Sequence, residues 1–216
     1  MRLLEPQVDE TILDAGCGSG FFTYEIANAC KLSVGVDLRL SDKTLAIRKQ
    51  PRVAYIKSDV QLLPFDSNKF DKILLSSVLQ MVKDDQSLIK ECNRILKSEG
   101  TLILSVPIQY CCIKRLNNYA STIKLRFGGR GEASYSIASI KLLLQNVGFD
   151  VKEIEFSPKK WGSLVFEVGL YLWYRYNFPF FNFALFPIIY PIAYPDRFAN
   201  RRQIGNEIVV KARKAA

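Results

Sequence analysis

The chain is predicted to fold as an α/β domain with a doubly wound, largely parallel sheet. Two observations predict this class. Short apolar runs of strand length alternate with segments of helical periodicity, and three alternating glycines follow the first apolar run. In an open sheet of this kind the ligand lies beyond the carboxyl ends of the strands, so residues at those ends are the candidates for function.

Seven segments have the composition of strands, and several segments between them have helical periodicity. The predicted strands are residues 11–16, 31–37, 52–59, 70–78, 101–107, 149–156 and 206–214. The predicted helices are residues 21–29, 41–49, 84–97 and a segment that begins at Ser136 and ends at Gly148. The alternating pattern and basic tail of the last strand suit an edge position in the sheet.

The charge of the chain is concentrated in its second half. The 216 residues carry a net charge of +9, but residues 1–108 contain 14 basic and 14 acidic side chains, so the whole excess lies in residues 109–216. This asymmetry fits a surface that faces an anion, such as lipid head groups, phosphates or nucleic acid. The same charge asymmetry fits a basic surface that is exposed to solvent equally well.

Two insertions interrupt the pattern of what we predict to be a single domain over residues 1–216. Residues 108–133 form a basic loop with five Lys and Arg side chains. Residues 158–203 are rich in aromatic side chains, since 14 of the 26 aromatic residues of the chain fall between Trp161 and Phe198. The central, uncharged stretch of this segment contains four prolines. Because prolines break a continuous helix, we predict a lid or a membrane-docking element rather than a membrane span.

A glycine-rich loop at residues 16–20 and three acidic residues form the candidate binding site. The loop precedes a predicted helix, where free N–H groups and missing side chains let a ligand approach the backbone. Asp14, Asp37 and Asp59 end three successive predicted strands. Asp37 is placed to accept both hydroxyls of a ribose, and Asp59 with the next N–H can read the amino edge of adenine.

At these residues the chain resembles the class I S-adenosylmethionine-dependent methyltransferases, in the small-molecule branch that contains the quinone-biosynthesis methyltransferases. The matching stretches are ILDAGCGSG, VGVDL, KSDVQLLPFDSNKFDKILLSSVLQMV and ILKSEGTLILSVP. The resemblance covers residues 1–157 and 204–212 and is specific over residues 1–107. It implies a Rossmann-like, seven-stranded sheet with an antiparallel last strand, and S-adenosylmethionine as the cofactor.

The resemblance also implies roles for individual residues. The methionine part of the cofactor would lie on the 16–20 loop, with Asp14 near its amino group and Ser76 on the same side. Asp37 would hold the ribose, and Asp59 with the backbone of Val60 would hold the adenine. The full predicted set is Asp14, Gly16, Cys17, Gly18, Gly20, Asp37, Leu38, Asp59, Val60 and Ser76.

Two departures from the family pattern bear on the chemistry. The family often has Glu-His after the fourth strand, where this chain has Gln80 and Met81, and the segment before the first strand is very short. The chain has no histidine, which excludes His-containing zinc sites and His-based triads, and no metal site is predicted. A catalytic base, where the acceptor needs one, would be Asp, Glu or Tyr, and the sequence does not select among them.

These features predict methyl transfer to a small, lipophilic or lipid-linked acceptor by a cytoplasmic protein, either free or peripheral on the inner face of the membrane. Two alternatives stay open: an RNA methyltransferase and a non-catalytic, membrane-associated adaptor that keeps the fold. Nucleic acid is disfavoured because the fourth strand ends in Ser76, Ser77 and Val78 rather than in the Asn-Pro-Pro-aromatic run typical of base amino methylation. The acceptor atom and the oligomeric state are left open.

Overall fold

The computed structural model describes residues 2–40, 50–107, 135–156 and 207–215. Its strands are β1 (Thr11–Ala15), β2 (Leu32–Asp37), β3 (Val53–Lys57), β4 (Phe70–Ser76), β5 (Leu96–Pro107), β6 (Phe149–Phe156) and β7 (Glu207–Lys214). They form one sheet in the order β3-β2-β1-β4-β5-β7-β6. The first five strands pair in parallel, and the last is antiparallel. The predicted Rossmann-like, seven-stranded sheet is thereby confirmed.

Three helices are described: α1 (Phe21–Ile26), α2 (Asp85–Ile95) and α3 (Ile137–Gln145). Helix α2 begins at a cap, since the side chain of Asp84 accepts hydrogen bonds from the backbone N–H (3.0 Å) and hydroxyl (2.6 Å) of Ser87. Its apolar side chains lie on one face and are buried, as the sequence pattern predicts. The predicted helix at 41–49 and the two insertions at 108–133 and 158–203 lie outside the described residues.

The boundary between α2 and β5 differs from the prediction. The helix ends at Ile95 rather than at residue 97, and the strand begins at Leu96 rather than at residue 101. Leu96 is fully buried and pairs with Phe70, after which residues 97–100 bulge out before pairing resumes at Thr101. The polar run KSEG therefore lies in a bulge within the strand, which sequence periodicity cannot distinguish from a helix end.

The predicted edge position of the last strand is wrong, because β7 lies between β5 and β6. Two of its basic side chains pair with acids: Lys211 with Glu5 at 3.0 Å and Arg213 with Glu99 at 3.1 Å. The nitrogen of the Lys214 side chain donates to the carbonyl of Leu96 at 2.7 Å. The basic tail thus bonds to its neighbours, and does not protect an open edge.

The topology places the candidate site at the point where the strand order reverses. From β1 the chain proceeds outward through β2 and β3, and then returns to the other side of β1 with β4 and β5. The carboxyl ends of β1 and β4 therefore flank a crevice, because their crossover connections leave the sheet in opposite directions. The glycine-rich loop follows β1, and a short 3₁₀ turn (Leu79–Met81) follows β4.

Residue contacts divide the chain into two compact units. The first consists of Met1–Val106, Ala138–Ile154 and Val210–Ala216, and it contains the candidate site. The second consists of Pro107–Ile137 and Glu155–Val209, most of which lies outside the described residues. The organisation of the whole chain as one domain stays a prediction.

The bulge in β5 yields a test of the fold. A Cβ atom at Gly100 would lie 2.9 Å from the carbonyl oxygen of Lys97 and 3.1 Å from that of Asp71. Because these are backbone atoms of paired strands, Gly100→Ala should lower the free energy of unfolding by about 1–3 kcal/mol. Denaturation by urea measures the change, with Ser98→Ala at an exposed position of the same bulge as the control. Equal midpoints for the two variants would contradict the described geometry.

Candidate cofactor site

The glycine-rich loop is fixed to β2 through its backbone. The N–H groups of Gly16 and Cys17 both donate to the carbonyl of Val36, at 2.7 and 3.0 Å. The N–H of Gly18 donates to a carboxylate oxygen of Asp37 at 2.9 Å. The N–H of Gly20 donates to the carbonyl of Cys17 at 2.8 Å. These four residues therefore use their N–H donors to shape the loop.

Each glycine of the loop has a positive φ, and the three differ in what surrounds them. The φ angles of Gly16, Gly18 and Gly20 are 79°, 52° and 71°. A Cβ atom at Gly16 would lie 2.3 Å from a methyl carbon of Val78, and one at Gly20 would lie 2.5 Å from the hydroxyl of Tyr55. A Cβ atom at Gly18 would have no atom within 4 Å. Gly16 and Gly20 thus allow the protein to pack, whereas Gly18 borders an open space that a ligand can enter.

Asp37 joins the loop to the end of β2. One of its carboxylate oxygens accepts from the N–H of Gly18, and the other accepts from the N–H of Arg39 at 2.8 Å. A carboxylate has about four lone-pair positions, so each oxygen retains one for a further donor. The side chain is partly exposed, and Leu38 beside it is 59% exposed. Asp37 can therefore receive ribose hydroxyls without releasing the loop.

Asp14 lies beneath the loop, covered from solvent. Its carboxylate is 1% exposed and accepts from the hydroxyl of Thr23 at 2.7 Å. Burial raises the pKa of Asp14 from its ordinary value of 3.8 to about 6, against the lowering effect of the Thr23 hydrogen bonds, and the negative charge of Asp37 raises it further. Asp14 thus places negative charge under the loop, and does not line an open surface.

Asp59 is exposed beyond β3, in a loop that α2 holds in place. A carboxylate oxygen of Asp59 accepts from the N–H of Gln61 at 2.9 Å, and the side-chain oxygen of Gln61 accepts from the N–H of Asp84 at 3.2 Å. Further along, Glu91 accepts from the N–H of Leu63 at 3.0 Å. Val60 is buried. The loop is thus bonded at two points to the helix that follows β4.

The turn after β4 faces the glycine loop from the other side of the crevice. Ser77 has a φ of 55° and donates its N–H to the hydroxyl (3.2 Å) and carbonyl (3.1 Å) of Ser105 in β5. Gln80 is buried, and its side-chain nitrogen donates to the carbonyl of Ser77 at 2.9 Å. The side-chain oxygen of Gln80 has no hydrogen-bond partner, which costs about 1–3 kcal/mol for a buried polar group. Ser76, predicted at this edge, is partly exposed.

Four residues that shape the site carry no signal in the sequence. Thr23 holds Asp14, Tyr55 donates its hydroxyl to the carbonyl of Gly20 at 3.2 Å, and Val78 packs on Gly16. Gln80 was noted only as a departure from the family pattern. Tyr55 and Val78 contact the loop from segments that are distant in the sequence, and the bonds of Thr23 and Gln80 depend on the local backbone geometry, so periodicity and motif spacing do not reveal them.

The residues present fit S-adenosylmethionine. The open space beside Gly18 accepts a group that needs close backbone approach, and the spare lone pairs of Asp37 accept hydroxyl hydrogens. Exposed apolar surface at Leu38 suits the face of a purine ring. Over the described residues, no group of three or more His, Cys, Asp or Glu side chains is arranged to hold a metal ion.

Comparisons with known proteins bear on the family and the fold. Residues 13–104 match the family model described as a methyltransferase domain. A ubiquinone biosynthesis O-methyltransferase of Coxiella burnetii is 30% identical over 112 residues, which are 49% of this chain and 48% of that protein. A biotin biosynthesis bifunctional protein of Saccharophagus degradans is 29% identical over 104 residues, which are 46% of this chain and 19% of that protein.

A solved structure shares the fold over almost the full chain. The S-adenosylmethionine-dependent methyltransferase of Mesorhizobium loti superimposes with a TM-score of 0.65 at 19% identity, covering 99% of this chain and 94% of that one. The chain spans about half the length of the Coxiella relative. Fold and family match define a class I S-adenosylmethionine-dependent methyltransferase. The family match covers residues 13–104, and together with the fold it supports S-adenosylmethionine as the cofactor.

The opening beside Gly18 predicts a change that affects ligand affinity more than stability. In Gly18→Ala the new methyl group enters the open space, and affinity for S-adenosylhomocysteine should fall about tenfold or more, equivalent to about 1.4 kcal/mol. Isothermal titration calorimetry measures it. Gly148→Ala is the matched control, because Gly148 also has a positive φ (85°), a Cβ atom there would make only an ordinary contact of 3.7 Å with the side chain of Asn93, and the residue lies outside the site. Unchanged affinity in Gly18→Ala would contradict the placement of the cofactor.

Burial of Asp14 predicts a dependence of stability on pH. Its pKa is higher in the folded chain than in the unfolded one, so the folded state loses stability as the pH rises from about 4 to about 6 and remains penalised above that. Asp14→Asn should therefore stabilise the ligand-free protein by up to about 3 kcal/mol at pH 7.5 and by much less at pH 4.5. Urea denaturation at the two pH values tests this, and an equal effect at both would show that desolvation does not govern the group.

Proposed function

We propose that this protein transfers a methyl group from S-adenosylmethionine to a small lipophilic acceptor, and that it meets this acceptor at a membrane surface. One observation carries the proposal. Of the six large apolar side chains exposed in the described chain, four follow the carboxyl ends of β1 to β4. We call these four the apolar rim: Phe21 (50% exposed), Leu38 (59%), Leu62 (78%) and Met81 (42%).

The apolar rim surrounds the crevice in which a ligand of this fold lies. Leu38 and Leu62 follow β2 and β3, on the side of the nucleoside, whereas Phe21 and Met81 follow the glycine loop and β4, on the side of the transferred methyl group. Each square ångström of apolar surface that a ligand covers contributes about 25 cal/mol. An acceptor with an apolar body is therefore favoured next to Phe21 and Met81.

The reaction requires few chemical steps from the protein's own side chains. Bound S-adenosylmethionine supplies a methyl group on a positively charged sulfur, which an acceptor lone pair takes as the carbon–sulfur bond breaks toward sulfur. Asp37 and the loop at Gly18 would fix the donor, and the contact of Val78 with Gly16 sets the width of the crevice where the acceptor enters. Orientation and exclusion of water then provide the rate enhancement. Where the acceptor atom carries a proton, that proton passes to solvent after methyl transfer, when the product leaves the crevice.

The membrane part of the proposal is supported by composition. The aromatic insertion at 158–203 is flanked by basic side chains, which would contact anionic lipid, while Trp and Tyr prefer the head-group level. None of the helices in the described residues has the length and hydropathy needed to cross a membrane. A relative of 30% identity that acts in ubiquinone biosynthesis supports a lipophilic acceptor. A second relative that acts in biotin biosynthesis shows that similarity alone does not select the acceptor.

The acceptor class is tested with methyl-labelled S-adenosylmethionine and a whole-cell extract, followed by partition of the products between organic solvent and water. We expect label in the organic phase. Asp37→Ala is the negative control, because it removes the acceptor of two backbone hydrogen bonds and the predicted ribose contact. Label in RNA or in polar metabolites would overturn the lipophilic acceptor, and absence of label in both phases would support the adaptor interpretation.

Membrane docking has its own test. The full-length protein should sediment with vesicles that contain phosphatidylserine and not with vesicles of phosphatidylcholine alone, and the binding should weaken as salt increases. Deletion of residues 161–198 should abolish it in a protein that still binds S-adenosylhomocysteine. Equal sedimentation of the deleted and full-length proteins would contradict docking by this insertion.

A further inference from the structure

The turn after β4 holds a buried hydrogen-bond acceptor that no group among the described residues uses. The side-chain oxygen of Gln80 has no partner within residues 2–40, 50–107, 135–156 and 207–215, although the residue is only 9% exposed. Buried polar atoms are satisfied in the great majority of cases, and exceptions call for an explanation such as a ligand or a water. The position of this oxygen beside the cofactor site makes a ligand the relevant candidate.

The orientation of the Gln80 amide is set by its neighbours. The side-chain nitrogen donates to the carbonyl of Ser77 at 2.9 Å, and that carbonyl belongs to a turn fixed to Ser105 of β5. A flipped amide would place two oxygens against each other at this contact. The free atom is therefore the oxygen, and the group it can bind is a donor.

The turn that carries Gln80 is in contact with the loop that carries the cofactor. Val78, two residues earlier, packs so closely on Gly16 that a Cβ atom there would lie 2.3 Å from its methyl carbon. Met81, the next residue, belongs to the apolar rim and is 42% exposed. Gln80 thus belongs to a turn that packs on the glycine loop through Val78 and is exposed to solvent at Met81.

We propose that the side-chain oxygen of Gln80 accepts a hydrogen bond from a hydroxyl group on the lipophilic acceptor and selects acceptors that carry one. This inference rests on the proposed function and adds to it the polar group that the acceptor must bear. A neutral amide can hold the hydroxyl hydrogen but cannot remove it. Gln80 therefore acts in specificity and positioning, not as a base. The side-chain oxygen of Gln80 is buried in the ligand-free protein. The hydroxyl of the acceptor therefore reaches this oxygen by displacing the atoms that cover it.

The experiment compares two probes that share an apolar body, 4-hexylphenol and 4-hexylanisole, binding to protein saturated with S-adenosylhomocysteine. The anisole lacks the hydroxyl hydrogen. The hydroxyl preference is the ratio of the Kd of the anisole to that of the phenol, and we expect about tenfold in the unchanged protein. In Gln80→Met, which keeps the shape without the oxygen, the ratio should fall to about one. In Gln80→Glu, which keeps an acceptor oxygen, it should persist.

Controls distinguish a failure of the role proposed for Gln80 from a failure of the proposed methyl transfer. Leu142→Ala alters an exposed apolar residue outside the apolar rim and should leave the hydroxyl preference unchanged. A protein that binds S-adenosylhomocysteine but shows no hydroxyl preference, or no binding of 4-hexylphenol, overturns the role of Gln80 and leaves the proposed methyl transfer intact. A protein that binds no S-adenosylhomocysteine overturns the proposed function itself. A hydroxyl preference that survives in Gln80→Met also overturns the inference.

A measurement on the unchanged protein covers the case in which Gln80→Met does not fold. In ¹⁵N-labelled protein, the side-chain amide signals of Gln80, assigned by their absence in Gln80→Glu, should shift on addition of 4-hexylphenol more than on addition of 4-hexylanisole. Equal shifts with the two probes would show that the oxygen stays unpartnered or is bridged by water, and would overturn the inference.

Discussion

The hydrogen bond from the N–H of Gly18 to the carboxylate of Asp37 is the contact on which the site depends. It joins the loop after β1 to the end of β2, and because its acceptor is charged it is stronger than a bond between neutral groups. Val36 reinforces it by accepting from the two preceding N–H groups. These bonds shape the glycine loop before any ligand arrives, so little ordering of the loop is left for binding.

Near this contact three residues have energetically unfavourable features, which is consistent with a binding site. Asp14 is buried with a raised pKa, Ser77 has a positive φ, and the side-chain oxygen of Gln80 lacks a partner. All three lie at or near the carboxyl ends of β1 and β4, where the strand order reverses. Strain and unsatisfied groups collect at functional sites because the surrounding sheet is stable enough to hold them.

The sequence is sufficient to predict the sheet and the positions of Gly18, Asp37 and Asp59, because apolar runs and motif spacing are local signals. The sequence does not predict features that depend on contacts between residues far apart in the chain. The burial of Leu96 against Phe70 shifts the end of α2, and insertion between β5 and β6 makes β7 an interior strand. The role of Gly16 depends on Val78 and that of Gly20 on Tyr55, which only the fold brings together.

The central claim is that the carboxylate of Asp37 and the space beside Gly18 hold the cofactor. A crystal structure of the protein with S-adenosylhomocysteine tests it most directly. We expect both ribose hydroxyls within hydrogen-bond distance of Asp37, the amino-acid end against Gly18, and an unbroken bond between these two residues. A nucleoside bound elsewhere, or a loop that releases Asp37 to bind it, would show that these residues do not hold the cofactor as proposed.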